Sequence, residues 1–353
     1  MLNYASIYAN AFQLPLRNSY SMSSPRFQVF ISDFIADSLE VERQVLGDIA
    51  DVTACDAHDE SELHGRIEQA DAIMMYHNLA IGRSTIERLE RCKLIVRCGV
   101  GFDNVDYEFA RSRGITVSNV PDYGTEEVAD SAIGMMLALT RGINFYNVRL
   151  RENPNPWMYS TAGKLFRLRN RTFGILGLGR IGTATAIRAK ALGMNVIFYD
   201  PFNEDGCDKA LGIQRVETLD ALLESSFVLS LHCPNTSETK HIINASALQK
   251  MPKGSYLINT ARGAVVDVSA IPPAIASGQL AGAAIDVLTD EPPEANNPLL
   301  AAWRDPNHPA FTRLIINPHA AFYSEEGLAD MRIKGSQACR NVLLGRRARN
   351  VIN

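Results

Sequence analysis

The chain lacks most of the features that commit a sequence to a special environment. None of its 353 residues fall in a run near the ~18 apolar residues that a bilayer span needs. The richest stretch, AIGMMLAL at 132–139, suits a buried helix. Six cysteines (Cys55, Cys92, Cys98, Cys207, Cys233, Cys339) are scattered with no C-x-x-C pair, which argues against a zinc site or a disulfide scaffold. Seven histidines include no His-x-x-x-His pair, so no metal is expected. Repeats and low-complexity tracts are missing too. Nor is there a surplus of basic charge. Lys and Arg number 35 against 39 Asp and Glu, a net charge of −4, which argues against nucleic acid or an anionic membrane as partner.

What remains is an ordinary globular composition, 46% hydrophobic and 21% charged, long enough for about two domains at ~150 residues each. Residues 1–25 stand apart, rich in Ser, Asn and Tyr with Arg17 their single charge. Pro15, Arg17 and Asn18 interrupt any secretory apolar region. An N-terminal extension ahead of a start at Met22 is the plainer reading, a transit peptide the other. A cytoplasmic protein is expected.

From Phe27 short apolar runs alternate with amphipathic stretches. The runs QVFIS (28–32), DVTAC (51–55), AIMMY (72–76), KLIVR (93–97) and ITVSN (115–119) are separated by segments such as SLEVERQVLGDI (38–49) and STIERLERC (84–92). Strands alternating with helices predict a parallel sheet covered on both faces. A long helix follows from about Thr125, then a Pro- and Gly-punctuated loop at 151–163. A second series runs through TFGILG (172–177), NVIFYD (195–200), FVLSLH (227–232), SYLINT (255–260), AGAAIDV (281–287) and RLIINP (313–318). The expected fold is α/β, two doubly wound parallel-sheet domains. Residues 122–319 form the second. The amphipathic stretch 324–345 is too short to fold alone and should pack back on the first domain, making it discontinuous (1–121 plus 320–353).

GLGRIG follows a strand and precedes a helical stretch, the context that a dinucleotide turn requires. Gly177 makes the turn, Gly179 lets backbone approach pyrophosphate, and Gly182 lets helix pack on strand, with Arg180 and Ile181 between them. The next strand ends at Asp200, close to the ~20-residue spacing of a ribose-binding acid. A carboxylate there favours NAD, because the 2′-phosphate of NADP meets a like charge and PFNEDG holds no cation. Ligands bind beyond the carboxyl ends of such strands. That rule nominates His232, Cys233 and Pro234, then Thr260 to Arg262, and Asp286; His232, Cys233, Pro234, Thr260, Ala261 and Asp286 are taken as cofactor contacts, with Thr239 as a further candidate.

Three residues near strand ends could carry chemistry. Arg262 in NTARG offers a fork of donors suited to a carboxylate. Glu291 in TDEPPE and His319 after Pro318 supply the acid and imidazole of a proton-transfer pair. Spacing alone also allows solvated loop residues.

The runs GVGFDNVD (99–106), GLGRIG with Asp200, NTARGAVVD (259–267), GAAIDV (282–287), Glu291-Pro292 and PHAAFYS (318–324), in this order, resemble the D-isomer-specific 2-hydroxyacid dehydrogenases. MMYH (74–77), FYDPF (198–202) and LHCPN (231–235) are similar to the C-terminal-binding-protein branch, with Phe322 where that branch usually has Trp. The resemblance implies an NAD-dependent oxidoreductase with its cleft between two domains. It places the catalytic arginine on Arg262, the orienting acid on Glu291 and the proton donor on His319. The backbone amides at Val100 and Gly101 would bind the carboxylate of a small 2-oxo or 2-hydroxy acid. Arg97 is a second carboxylate contact or a charge snorkelling from the sheet edge. Tyr76 and Phe322 would shape the side-chain pocket, or simply pack. A homodimer through the NAD-binding domains is expected. An NAD(H)-sensing binding protein with weak activity, a phosphite dehydrogenase and a phosphoglycerate dehydrogenase remain alternatives. Glu291, where formate dehydrogenases carry Gln, disfavours formate.

Overall fold

A computed structural model describes residues 25–353, so both readings of the N-terminal extension, including Met22, lie outside the described residues. Two parallel sheets carry the fold, as the alternation of runs predicts. The first contains β1 (Phe27–Ile31), β2 (Ala50–Ala54), β3 (Ala72–Met75), β4 (Leu94–Arg97) and β5 (Thr116–Asn119), in the order β2-β1-β3-β4-β5. The second contains β6 (Thr172–Leu176), β7 (Asn195–Tyr199), β8 (Gln214–Arg215), β9 (Val228–Leu231), β10 (Ser255–Asn259), β11 (Leu280–Ile285) and β12 (Leu314–Ile316), ordered β12-β11-β10-β9-β6-β7-β8. Every β3, β4, β9 and β10 residue is buried, as strands covered on both faces must be. The two-residue β8, at the sheet's edge, carries no apolar run and had no sequence signal. The predicted helix at 84–92 shortens to Arg83–Ile86.

Strand order reverses direction between β1 and β3 in the first sheet and between β6 and β9 in the second. Such switch points open a crevice at the strands' carboxyl ends. The two crevices face one another.

The chain crosses between the sheets twice. It leaves β5 into the helix Thr125–Thr140, whose first turn carries Glu126 and Glu127, and returns after β12 into the helix Glu325–Leu343. Both crossings are tied together: Ser131 donates to the Ala321 carbonyl (3.1 Å) and Ser324 to Glu127 (2.8 Å). Ser324 also caps the last helix by accepting from the Gly327 N–H. That helix packs on β3, β4 and the helix Glu40–Leu46. Gly335 allows the approach, since a Cβ there would stand 2.7 Å from Cys98 Sγ and 2.9 Å from Met74 Cε. At the same contact Arg332 holds the fully buried Glu42 through two bonds (2.6 and 2.7 Å) and Asp37 through two more (2.7 and 2.9 Å). A buried carboxylate survives only with such a partner.

Candidate functional site

Between the sheets lies a cleft of about 760 Å³, lined from both sides. The first sheet contributes His77, Arg97, Val100, Gly101 and Asp103. The second contributes Arg180, Ile181, His232, Cys233, Pro234, Thr260, Ala261, Arg262, Asp286 and His319, with Phe322 on the return crossing. Residues nominated from distant runs therefore meet in one place.

The glycine loop has the form its motif demands. Gly177 lies at φ +89°, and a Cβ on it would come within 2.7–2.9 Å of the His232–Cys233 backbone. Its bareness thus lets the loop after β9 close on the turn after β6. A Cβ on Gly182 would clash with the Gly177 carbonyl, whereas Gly179 faces open space. The helix Arg180–Ala191 begins there without a side-chain cap, leaving N–H groups free for an anion. Asp200 lies outside the main cleft, beside this loop. It accepts from the N–H groups of Leu178 (2.8 Å) and Phe202 (3.0 Å) and from Asn203 (2.8 Å). Two polar atoms lining the cleft, Thr260 Oγ1 and His232 Nδ1, are buried without a hydrogen-bond partner among the described residues. Burial drives the His232 imidazole down to about 3, so it is neutral. Open space, free helix donors and orphaned polar atoms together fit a dinucleotide. Thr239 is not on the cleft wall; it closes its own loop by bonding the Pro234 carbonyl at 2.6 Å.

His319 sits at φ +53°, a left-handed conformation that a side chain adopts only when held. Asp286 is what holds it. The Asp286 carbonyl accepts the His319 N–H (2.8 Å), and its carboxylate, 2% exposed, accepts the N–H groups of Ala320 and Ala321. Burial raises the Asp286 carboxyl, opposed by those two N–H groups and by His319. Asp286, expected to contact cofactor, thus spends much of its carboxylate on building the turn that presents the imidazole. His319 Nδ1 lies 2.7 Å from Glu291 Oε2, while Glu291 Oε1 is anchored by the Leu288 N–H (2.7 Å). Burial pushes the Glu291 carboxyl up, but its bond to His319 and that residue's charge outweigh this and leave it lowered.

Two guanidiniums cross the loop after β4. An added Cβ on Gly99 would collide with Arg97 Nη1, and one on Gly101 with Arg262 Nη2. Arg97 is 6% exposed and, among the described residues, bonds only neutral oxygens, Asn104 Oδ1 and the Cys98 carbonyl (both 3.2 Å). Burial, then repulsion from Arg262, lowers its pKa. A buried cation without a carboxylate partner is costly and creates a strong demand for an anion. Beside it the backbone N–H groups of Val100 and Gly101 have no partner among the described residues.

Tyr76 is not in this cleft. Met74 and Tyr76 point the same way from β3 and its end, into the core under the helix Glu325–Leu343, so Tyr76 is fully buried, its hydroxyl without a hydrogen-bond partner among the described residues. The next residue, His77, takes the cleft position instead. Its ring lies tilted against those of Phe34 and His319, with centroids 4.7 and 5.2 Å away, and burial lowers its pKa to about 3. Phe322 lines the cleft, its ring centroid 5.8 Å from that of His77 and 6.1 Å from that of His319. His77 and Asp103 were missed, although Asp103 belongs to the GVGFDNVD run.

Residues 133–321 match the D-isomer specific 2-hydroxyacid dehydrogenase, NAD binding domain. The chain belongs to this family, and the matched region is its NAD-binding domain. C-terminal-binding protein 1 of Caenorhabditis elegans is 35% identical over 87% of the chain and 42% of its own length. D-3-phosphoglycerate dehydrogenase of Methanocaldococcus jannaschii is 33% identical over 88% of the chain and 57% of its own length. The chain thus spans about half the length of these curated relatives. Among solved structures, the D-lactate dehydrogenase of Aquifex aeolicus complexed with NAD and lactic acid superposes with TM-score 0.78, at 28% identity, covering 90% of this chain and 96% of that one.

Proposed function

We propose that the chain is an NAD(H)-dependent oxidoreductase interconverting a D-2-hydroxy acid and its 2-oxo acid. One observation carries the reading. His319, paired with Glu291, shares a cleft with Arg97, a buried cation with no anionic partner among the described residues, and with the glycine loop. Residues 122–319 would bind the cofactor, and residues 1–121 with 320–353 the substrate.

Gly179, Arg180, the first turn of the helix Arg180–Ala191, His232 and Thr260 would hold NAD(H), with Asp200 at the adenosine ribose. When bound, the reduced cofactor supplies the hydride. Arg262 Nη2 and the N–H groups of Val100 and Gly101 hold the substrate carboxylate, joined by Arg97. Arg262 also polarises the C2 carbonyl and stabilises its developing charge. Glu291 fixes Nδ1 of His319 as the bonded nitrogen, so Nε2 passes the proton to the C2 oxygen. Closure of the cleft excludes water. Phe322 and His77 wall the side-chain pocket.

A homodimer through the cofactor half suits the exposed apolar side chains of Ile143, Trp157 and Tyr159, 57%, 76% and 83% exposed. Light scattering at micromolar concentration tests it. Six free cysteines suit a reducing, cytoplasmic setting.

The test is NADH oxidation, followed by its absorbance, against a panel of 2-oxo acids. Turnover of at least one supports the reading. Tight NADH binding with turnover of none favours an NAD(H)-sensing role, a second reading supported by the 35% identity to C-terminal-binding protein 1.

A further inference from the structure

Arg262 belongs to the second half of the molecule, yet its guanidinium is seated by the first. Its Nη2 end fills the space that a Cβ on Gly101 would take, and its Nε edge donates to Asp103 Oδ1 at 3.2 Å, two residues along the same loop. Nη1 donates back to the Ala261 carbonyl at 2.9 Å. Nη2 has no hydrogen-bond partner among the described residues. Asp103 Oδ2 meanwhile accepts from Asn235 Nδ2 at 3.5 Å, in the loop after β9. One carboxylate therefore touches two separate loops across the cleft.

Among the described residues the Asp103 side chain bonds no residue besides Arg262 and Asn235. The Asp103 and Arg262 side chains are 36% and 25% exposed, a setting in which an ion pair adds little to folding. Arg97 lies beside Arg262 with no carboxylate partner among the described residues, so the two cations repel. Asp103 supplies the opposing charge that keeps Arg262 over the loop.

We propose that Asp103 is a positioning residue that aligns Arg262 with the substrate and does so only when the two halves are closed. The proposal rests on the dehydrogenase reading for its substrate, while the contact itself does not depend on it. Closure brings the loop after β4 to Arg262, the Nε edge is captured, and Nη2 is left aimed at the ligand carboxylate. In the open molecule Arg262 keeps only the Ala261 carbonyl as a partner.

Asp103→Asn tests this, because it keeps the size and the Oδ1 acceptor while removing the charge. On the best 2-oxo acid kcat should fall roughly 10–100-fold, the penalty of a misaligned catalytic group. KM should change less than about threefold, since both guanidiniums remain to bind the carboxylate. NADH affinity and the melting temperature should hold. Asp103→Glu, which restores the charge, should recover part of kcat. A second readout does not need turnover. Small-angle scattering should show wild type contracting with NADH and oxamate, and Asp103→Asn contracting less. Wild-type kcat in Asp103→Asn, or undiminished contraction, overturns the proposal. Should wild type turn over no 2-oxo acid, the dehydrogenase reading fails while the scattering comparison still judges Asp103.

Discussion

Gly101→Ala should remove most catalysis while leaving the fold nearly untouched. The backbone at Gly101 is not in the left-handed region, so alanine is conformationally acceptable there. The new methyl would instead occupy the space of Arg262 Nη2 and Cζ. That guanidinium ends a flexible side chain, a quarter exposed, so it can swing away at a folding cost below about 1 kcal/mol. Its function cannot follow. Losing one donor aimed at a developing oxyanion costs roughly 10²–10³ in kcat, or ~2.7–4 kcal/mol of transition-state stabilisation. The assay pairs thermal unfolding with steady-state NADH oxidation, in wild type, Gly101→Ala, Arg262→Ala and the double variant. If the methyl acts through the guanidinium, the double variant is no worse than Arg262→Ala alone. Additive losses, or near-normal kcat/KM in Gly101→Ala, would refute the reasoning. Gly99→Ala is the contrast: it displaces the buried Arg97 and should lower stability as well as activity.

His319→Gln should lower kcat by roughly 10²–10⁴ with NADH affinity unchanged, checked by turnover beside fluorescence titration. Wild type should prefer NADH over NADPH by at least ~100-fold in kcat/KM, and Asp200→Ala should narrow that ratio, because a like charge at the 2′-phosphate costs several kcal/mol. Equal use of both cofactors by wild type would place Asp200 away from the ribose. Arg332→Met should destabilise the fold by ~3–5 kcal/mol in urea unfolding, because Glu42 would be left buried without its cation. Glu42→Gln in that background should recover part of the loss.

Much of this architecture is legible in the residues because it rests on local signals. Apolar runs bounded by turn residues locate the main strands within a residue or two, and GLGRIG declares its own turn. The return of the last helix follows from its length and its single apolar face. Legibility ends where a contact spans distant parts of the chain. Tyr76 and His77 are adjacent and both aromatic, and only the direction of side chains at the end of β3 decides which meets the cleft. Asp286 stands at a strand end, as a cofactor contact should, but its carboxylate is directed to N–H groups at Ala320 and Ala321. Asp103 lies in the GVGFDNVD run, but nothing local marks its role, for its partners Asn235 and Arg262 lie in loops of the other half. The unpaired charge of Arg97 is a property of burial, which no spacing reveals.

The return of the last helix has a consequence for how the molecule is made. β1–β5 leave the ribosome roughly two hundred residues ahead of the helix Glu325–Leu343 that covers one of their faces. At translation rates of roughly 5–20 residues per second, that face waits on the order of ten to forty seconds. Through that interval Met74, Val96 and Cys98 lack their cover, and the Glu42 carboxylate lacks Arg332. The second sheet can meanwhile complete itself from one unbroken stretch of chain. The order of synthesis is thus the reverse of the order of completion: the half begun first is finished last, and a nascent-chain chaperone would find its surface there.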